Sequence, residues 1–469
     1  MVDVFVTDGL LNLRFRISVP LDYKRPEGRS ISVVANVTQK YQKSIHGSNV
    51  ADWMKLVVFP KDLKVIAYCQ GGPGFPCAVP LSNSSITGFL IEKGYQIVYY
   101  DQRGTGLSHP IEADGLLELV SGLTDESVKL KALLDYMQCF RVDSIVEDME
   151  VIRRTLLGQD TKWSLLGQSY GGFCCFTYLS MYQLSLEAVL VTGGIPPIGQ
   201  PVDRVYEQTY KRTTERNVHY YRKYPQDVQR VKQITKYLSE NRVILPNGGK
   251  LSVERFQQLG IRFGATGGTD AIHQIVVSFS EALQSSNKPT YAVLNDIQNA
   301  SSFDTNIIYA LFQEAIYCDG PGIASNWSAD RMRYAAGNEN YVANTASESQ
   351  EKPVYFTGEM VYRLMFDDYV ELSKDKDLAD ALHKYDSWSR LYSTENLKKI
   401  TWDTVPVVAA CYYYDQYVDF ELGMETKKKC MADDNLRQYI SSDHFHNGLR
   451  ANTSKVLGTL FKLLEAEVD

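Results

Sequence analysis

The stretch from Leu165 to Phe173 constrains this chain more than any other feature of its sequence. It reads Leu-Leu-Gly-Gln-Ser-Tyr-Gly-Gly-Phe, with a strand-like apolar stretch before it and helix-compatible residues after it. Gly-x-Ser-x-Gly between a strand and a helix is typical of a sharp turn that strains the serine and exposes its hydroxyl. Glycines are needed there because a Cβ would clash with neighbouring backbone. We therefore predict that Ser169 is a nucleophile, against the alternative of an ordinary glycine-rich turn.

Apolar segments on either side of this turn predict a mostly parallel sheet flanked by helices. Alternating residues at 13–19 and 31–37 predict antiparallel strands at a sheet edge, and continuous apolar runs at 65–68 and 95–100 predict buried central strands. Helical spacing over 143–157 predicts a helix that ends at Gly158. Further strands are expected at 163–166, 186–193, 405–410 and 436–440, and a closing helix at 454–466. With the serine turn, this pattern predicts an α/β-hydrolase fold.

The alternation of strands and helices stops between about residue 200 and residue 400. This stretch is rich in Tyr, Arg, Glu and Gln at helix-like spacings and has few strand signals. We interpret it as a helical insertion between two strands of the sheet. The predicted domains are a first core segment at 1–199, the helical insertion at 200–400 and a second core segment at 401–469.

Composition excludes some classes of function and indicates a compartment. The net charge of −7 disfavours a nucleic-acid partner, because such surfaces need clustered Lys and Arg. The eight cysteines include no C-x-x-C pair, which disfavours a zinc or redox site, and scattered thiols indicate a reducing compartment. The N-terminus lacks the features of a signal peptide, and no apolar run approaches a membrane span. We expect a soluble, cytoplasmic protein without a membrane partner.

A second glycine-rich stretch, Gln70 to Phe75, directly follows a predicted strand. Hydrolases of this fold take one oxyanion-hole amide from the loop after the third strand and one from the residue after the nucleophile. Gly71, Gly72 and Tyr170 are therefore the candidates for the oxyanion hole. A plain Pro-Gly turn is the alternative, and a phosphate-binding loop fits less well because no Gly-Lys-Ser/Thr follows.

Two charged residues at the end of the next predicted strand, Asp101 and Arg103, are expected to pair and to brace the loops of the site. The usual order in this fold is serine, then acid, then histidine. Because Asp101 precedes the serine, we predict a structural role for it.

The order of residues along the chain leaves two candidates for the catalytic acid and two for the general base. His444 and His446 follow the last predicted strand, where a general base can reach the serine. Asp415 is the first acid after the preceding strand, and Asp419 lies four residues deeper in the loop. A carboxylate in this place orients the imidazole and stabilises its protonated form.

Several collinear motifs together resemble one known family. The stretches are Gly71-Gly-Pro-Gly-Phe, Asp101-Gln-Arg-Gly-Thr-Gly, Gly167-Gln-Ser-Tyr-Gly-Gly, Phe356-Thr-Gly-Glu-Met-Val-Tyr, Tyr414-Asp-Gln-Tyr-Val-Asp-Phe and His446-Asn-Gly-Leu-Arg. They resemble the signature regions of proline iminopeptidases (prolyl aminopeptidases), in the larger bacterial and fungal branch. The resemblance covers nearly the whole chain. It departs at Gln70, where the family commonly has His, and this affects the expected shape of the oxyanion loop.

The resemblance implies an α/β-hydrolase core with a helical cap that releases an N-terminal proline from peptides. It selects His446 and Asp415 as the base and the acid. It also implies that Glu314 and Glu359 of the cap bind the free amino terminus, since a buried ammonium needs paired negative charge. Phe75 is expected to line a small proline pocket.

The expected chemistry is acyl transfer through a prolyl-enzyme that water then hydrolyses, with no metal or organic cofactor. An esterase, or an aminopeptidase for other small residues, is the alternative on the same triad. The non-enzyme alternative is a binding protein on an inactive hydrolase scaffold.

Overall fold

The sheet at the centre of the computed structural model has nine strands. The structure describes residues 3–47, 64–343, 352–433 and 435–466. The strands are β1 (Asp3–Thr7), β2 (Leu10–Pro20), β3 (Ser30–Lys40), β4 (Lys64–Cys69), β5 (Tyr95–Tyr100), β6 (Trp163–Gln168), β7 (Leu186–Thr192), β8 (Val407–Tyr412) and β9 (Arg437–Ser441). Their order is β1-β2-β3-β5-β4-β6-β7-β8-β9. The pairs from β1 to β3 and the β3–β5 pair are antiparallel, and all other neighbours are parallel.

This sheet confirms the predicted strands and the α/β-hydrolase fold. Every residue of β6 and β8 is buried, as expected of continuous apolar runs that are covered on both faces. The second half of β2 alternates between buried and more exposed residues, as expected near a sheet edge.

Helices of the core cover both faces of the sheet. They span Lys43–His46, Ser85–Glu92, Ala113–Leu119, Glu126–Met137, Val142–Leu157, Tyr170–Tyr182, Phe420–Cys430, Gly448–Ala451 and Thr453–Glu465. Two of these helices, Ser85–Glu92 and Thr453–Glu465, pack on the same face of the sheet through Leu90, Val456 and Leu460. The predicted closing helix is thus confirmed, and so is the helix end at Gly158, whose amide donates to the carbonyl of Arg154.

Between β7 and β8 the described residues form a helical insertion, as predicted. Its α-helices span Val202–Lys223, Asp227–Glu240, Val253–Gln257, Gly268–Ser286, Tyr291–Gln298, Ile307–Phe312, Ser328–Arg333, Met365–Asp368, Lys376–Lys384 and Thr394–Lys399. Part of this cap has its own apolar cluster, around Tyr220, Phe256 and Phe356. Other cap residues share one core with the sheet. The domain boundaries at residues 200 and 400 stay predictions.

Short 3-10 helices complete the elements, at Gln138–Phe140, Gln183–Ser185, Gln258–Gly264, Ala315–Tyr317, Glu339–Tyr341 and Leu372–Asp375. Within the described ranges, no helix combines the length and the apolar character needed to cross a membrane.

The predicted pair of Asp101 and Arg103 is wrong. The buried guanidinium of Arg103 binds the carboxylate of Asp148 at 2.5 and 2.7 Å. Asp101 instead accepts the backbone amides of Cys77 and Leu107, each at 2.8 Å. A buried guanidinium needs a carboxylate, and the long helix beside it supplies one that local sequence spacing does not reveal. Both residues still brace loops beside the site.

Candidate active site

Ser169 lies at the turn between β6 and the helix that follows, with φ 58° and ψ −127°. A positive φ is strained for a residue with a side chain and is typical of functional turns. A Cβ on Gly171 would lie 1.9 Å from the carbonyl oxygen of Cys69, and one on Gly172 would lie 2.2 Å from that of Gly194. The glycines are therefore required because the first turn of the helix lies directly against neighbouring backbone.

Asp415 and His446 come together from the ends of β8 and β9. The Nδ1 atom of His446 donates to Oδ2 of Asp415 at 2.7 Å, and both side chains are buried. Oδ1 of Asp415 accepts the amides of Tyr417 and Val418 at 2.8 and 3.1 Å. Burial opposes the charged imidazole most strongly, but the carboxylates of Asp415 and Glu359 together outweigh burial and hold the pKa of His446 above its ordinary value. An imidazole held at Nδ1 leaves Nε2 to accept a proton.

The alternative acid and base take other partners. Nδ1 of His444 hydrogen-bonds Oγ of Ser441 at 2.9 Å. Asp419 caps the helix Phe420–Cys430 by accepting the amide of Leu422 at 2.9 Å, and it pairs with Arg212 of the cap at 2.9 Å. Neither residue lines the cavity that contains Ser169.

A cavity of about 190 Å³ joins most of the sequence-predicted residues, and we call it the catalytic cavity. Its lining consists of Gln70, Gly71, Gly72, Phe75, Gln168, Ser169, Tyr309, Glu359, Tyr417, His446 and Arg450. It is smaller than the roughly 300–1,000 Å³ typical of sites for drug-sized ligands, so it suits a small acyl group. A larger cavity of about 1210 Å³ at the junction of cap and core contains none of these residues.

The candidate oxyanion-hole amides differ in their partners. The amide of Gly71 donates to Oε1 of its neighbour Gln70 at 3.2 Å. The amides of Gly72 and Tyr170 have no acceptor within the described part of the chain. Nε2 of Gln70 holds the loop by donating to the carbonyl of Pro76 at 3.1 Å. Gly72 and Tyr170 are therefore the donors left for a substrate oxygen.

Glu359 brings a carboxylate from the cap to the catalytic cavity. It accepts the hydroxyl of Tyr309 at 2.5 Å. The side chain of Gln313 is close enough to stabilise the carboxylate, and its Oε1 is buried without a partner among the described residues. Burial raises the pKa of Glu359, against the opposing effects of His446 and Tyr309. A cation beside this carboxylate would offset the cost of its burial.

Glu314 does not line the catalytic cavity, and its role in binding a substrate amine stays a prediction. It is fully buried, and its two carboxylate oxygens accept the amides of Ser328 and Ala329, each at 2.9 Å. Nδ1 of His383 lies 3.0 Å from Oε2. Glu314 thus holds the start of a cap helix, and each of its oxygens accepts a backbone amide.

One cap segment, the 3-10 helix Gln258–Gly264, contacts the loops that carry both Asp415 and His446. The backbone amide of His446 donates to the carbonyl of Gly264 at 3.1 Å. Nε2 of Gln416 donates to the carbonyl of Gly260 at 3.0 Å, and the hydroxyl of Tyr417 donates to the carbonyl of Ile261. The acid and base loops are therefore held by the cap as well as by the sheet.

Known proteins match this chain along its whole length. A family model described as alpha/beta hydrolase fold matches residues 64–290. Proline iminopeptidase aneH of Aspergillus aculeatus is 35% identical over 476 aligned residues, which cover 100% of this chain and 98% of that protein. The proline iminopeptidase of Aeromonas sobria is 34% identical over 459 residues, which cover 98% of each chain. The chain belongs to the proline iminopeptidase family. The resemblance and the hydrolase class predicted from sequence are confirmed.

For this member of the proline iminopeptidase family, sequence reasoning missed several residues at the site. Tyr417 and Arg450 lie in the motifs that carried the resemblance, and this was the signal that could have found them. Tyr309 lies in a helix-like stretch that no motif marks. Across the described ranges, no cluster of three or more His, Cys, Asp and Glu side chains could hold a metal ion.

Proposed function

We propose that this hydrolase releases an N-terminal proline from peptides, with Ser169 as nucleophile and His446 as general base. The observation that carries the proposal is the catalytic cavity, where Ser169, His446 and the carboxylate of Glu359 line about 190 Å³. The names of the two full-length relatives support the same substrate.

In the first step His446 takes the proton of Ser169 as the hydroxyl attacks the prolyl carbonyl. Asp415 stabilises the imidazolium, a role that its 2.7 Å hydrogen bond supports. The amides of Gly72 and Tyr170, with the Gly71 loop beside them, stabilise the oxyanion. His446 then protonates the leaving amine, and water hydrolyses the prolyl-enzyme by the reverse use of the same groups.

Selection of an amino-terminal proline falls to the cap in this proposal. The carboxylate of Glu359, which lines the cavity, binds the protonated prolyl nitrogen. The rings of Phe75 and Tyr309 meet edge to face, with centroids 5.0 Å apart, and form an apolar wall for the pyrrolidine. A cap over residues 200–400 would close this pocket to larger acyl groups.

Replacing the nucleophile tests the mechanism. Ser169→Ala should lower kcat/KM for a chromogenic prolyl amide by about 10⁴-fold or more, because the covalent intermediate can no longer form. Thermal unfolding should change little, and Ser239→Ala, on an exposed face of the cap, serves as the control for a serine hydroxyl. Turnover retained in Ser169→Ala would refute the assignment.

A substrate panel tests the specificity. Prolyl amides should be cleaved with higher kcat/KM than alanyl amides or short-chain esters, because Glu359 and the apolar wall fit a cyclic secondary amine. A preference for alanyl amides or for esters would support the alternative functions on the same triad. Failure of a fluorophosphonate to label Ser169 would support an inactive scaffold.

A further inference from the structure

The catalytic cavity carries opposite charges on its two walls. Glu359 belongs to the cap, and Arg450 belongs to the core, on the short helix Gly448–Ala451. Both line the same cavity as Ser169. The proposed function uses the negative charge to bind the prolyl nitrogen and leaves the positive charge without a role.

The guanidinium of Arg450 has hydrogen-bonding capacity to spare. It is exposed, it donates to Oε1 of Gln70 at 3.2 Å, and within the described ranges no carboxylate forms an ion pair with it. That same oxygen also lies 3.2 Å from the amide of Gly71 and 3.3 Å from the hydroxyl of Tyr68. A carbonyl oxygen has two lone pairs, whereas an arginine alone has five N–H donors. This end of the cavity therefore has more hydrogen-bond donors than acceptors.

Arg450 is also close to His446, which the proposed function makes the proton donor to the leaving group. It follows His446 by four residues, and its charge is close enough to oppose the rise in the pKa of that imidazole. The leaving nitrogen must come within hydrogen-bond reach of His446 to take its proton. In a dipeptide, the free carboxylate is separated from that nitrogen by a single carbon atom. We therefore expect the carboxylate of the departing amino acid to lie on the side of the cavity that carries the Arg450 guanidinium.

We propose that Arg450 binds the free carboxylate of prolyl dipeptides, so that the enzyme prefers them to neutral prolyl amides. This inference rests on the proposed function and names the substrate class within it. A zwitterionic dipeptide matches the cavity at both ends, with its ammonium at Glu359 and its carboxylate at Arg450. Guanidinium and carboxylate groups form strong charge-assisted hydrogen bonds.

One other arginine could compete for the same carboxylate. Arg262 lines an adjacent cavity of about 520 Å³, which shares Phe75, Tyr309 and Tyr417 with the catalytic cavity. It lies on the cap wall and does not line the catalytic cavity with Ser169. The observations favour Arg450, and a substitution at each position separates the two.

The experiment compares prolylalanine with prolylalaninamide, whose only difference is the charge of the carboxyl end. The ratio of their kcat/KM values should favour the free acid in the wild-type enzyme. In Arg450→Gln this ratio should fall by about 5-fold, through KM rather than kcat, as expected for an exposed ion pair. Arg450→Lys should keep most of the ratio because it keeps the charge. Arg242→Gln, at an exposed cap position without an ion pair in the described chain, should leave it unchanged.

Three outcomes would overturn the inference. The wild-type enzyme could cleave both compounds equally, or Arg262→Gln could lower the ratio in place of Arg450→Gln. Arg450→Gln could also lower kcat for both compounds to the same extent, as a residue that only braces Gln70 would do. In all three cases the compounds are still cleaved, whereas a failure of the proposed function would abolish cleavage of both.

Discussion

The core wall and the cap wall of the catalytic cavity are built by different means. On the core side, Gly71 and Ser169 are placed by contacts between backbone segments, and a Cβ on Gly71 would lie 3.0 Å from that of Ser169. On the cap side, Tyr309 and Glu359 are placed by hydrogen bonds between side chains. Backbone contacts require particular residues at fixed spacing and so leave a motif, whereas side-chain contacts across a helical cap do not.

Among substitutions that test the two walls, removal of the Asp415 carboxylate on the core side should lower activity the most. Asp415→Asn should lower kcat of prolyl amide hydrolysis by about 10⁴-fold, because the imidazolium loses its partner. The imidazole must be neutral to accept a proton, so activity falls as the pH drops through the pKa of His446. That pKa is raised by Asp415, so the acid limb of kcat/KM should move to lower pH in the variant. An acid limb that does not move would contradict this assignment.

The matched control is Asp419→Asn, four residues further along the same loop. It removes the buried carboxylate partner of Arg212, while the asparagine oxygen can still cap the helix, so we expect a loss of stability without a shift of the acid limb. Equal effects of both substitutions on the pH profile would mean that the loop, and not the Asp415 carboxylate, sets the pKa.

Adding one methyl group to the core wall should cost less, but more than most surface changes. In Gly171→Ala the new Cβ meets the carbonyl of Cys69 at 1.9 Å, so backbone must move and the free energy of unfolding should fall by about 3 kcal/mol. Gly115→Ala, in an exposed helix with open space around it, should instead raise it by about 0.5 kcal/mol. Urea unfolding measures both, and a stable Gly171→Ala enzyme would refute the required close contact.

Substitutions of the two cap glutamates should have the smallest effects. They distinguish a residue that binds the substrate from one that stabilises the cap. Glu359→Gln should raise KM for a prolyl amide by about 30-fold, equivalent to about 2 kcal/mol, because the prolyl ammonium loses its counter-charge. Glu314→Gln should leave KM nearly unchanged and lower the free energy of unfolding by about 2 kcal/mol, since its new amide hydrogens face the backbone donors of Ser328 and Ala329. A larger KM effect at Glu314 would restore the role that the sequence resemblance gave it.

The sequence allowed the sheet and the serine turn to be predicted because both depend on local rules. Strand burial sets the apolar pattern, and close backbone contacts fix the glycines around Ser169. Chain order left Asp415 beside Asp419 and His446 beside His444, and only the family resemblance separated them. The structure then gave each member of a pair a different partner.

One prediction was wrong because a side chain finds its partner far away in sequence. Arg103 binds Asp148, on a separate helix, and not the predicted Asp101. Helical periodicity indicates which face of a helix is buried, but it does not identify the group that lies opposite. Tyr309 was missed for this reason, whereas Arg450 lies in a motif that carried the resemblance but was given no role.

The contacts of the Gln258–Gly264 segment limit how modular this architecture can be. A cap that only covered the site could be exchanged for another by recombination or by design. Here the carbonyl of Gly264 supports the backbone of His446, and the neighbouring carbonyls support the loop of Asp415. A transplanted cap would need to present the same carbonyls at the same places. A change of cap would therefore also change the support of the Asp415 and His446 loops.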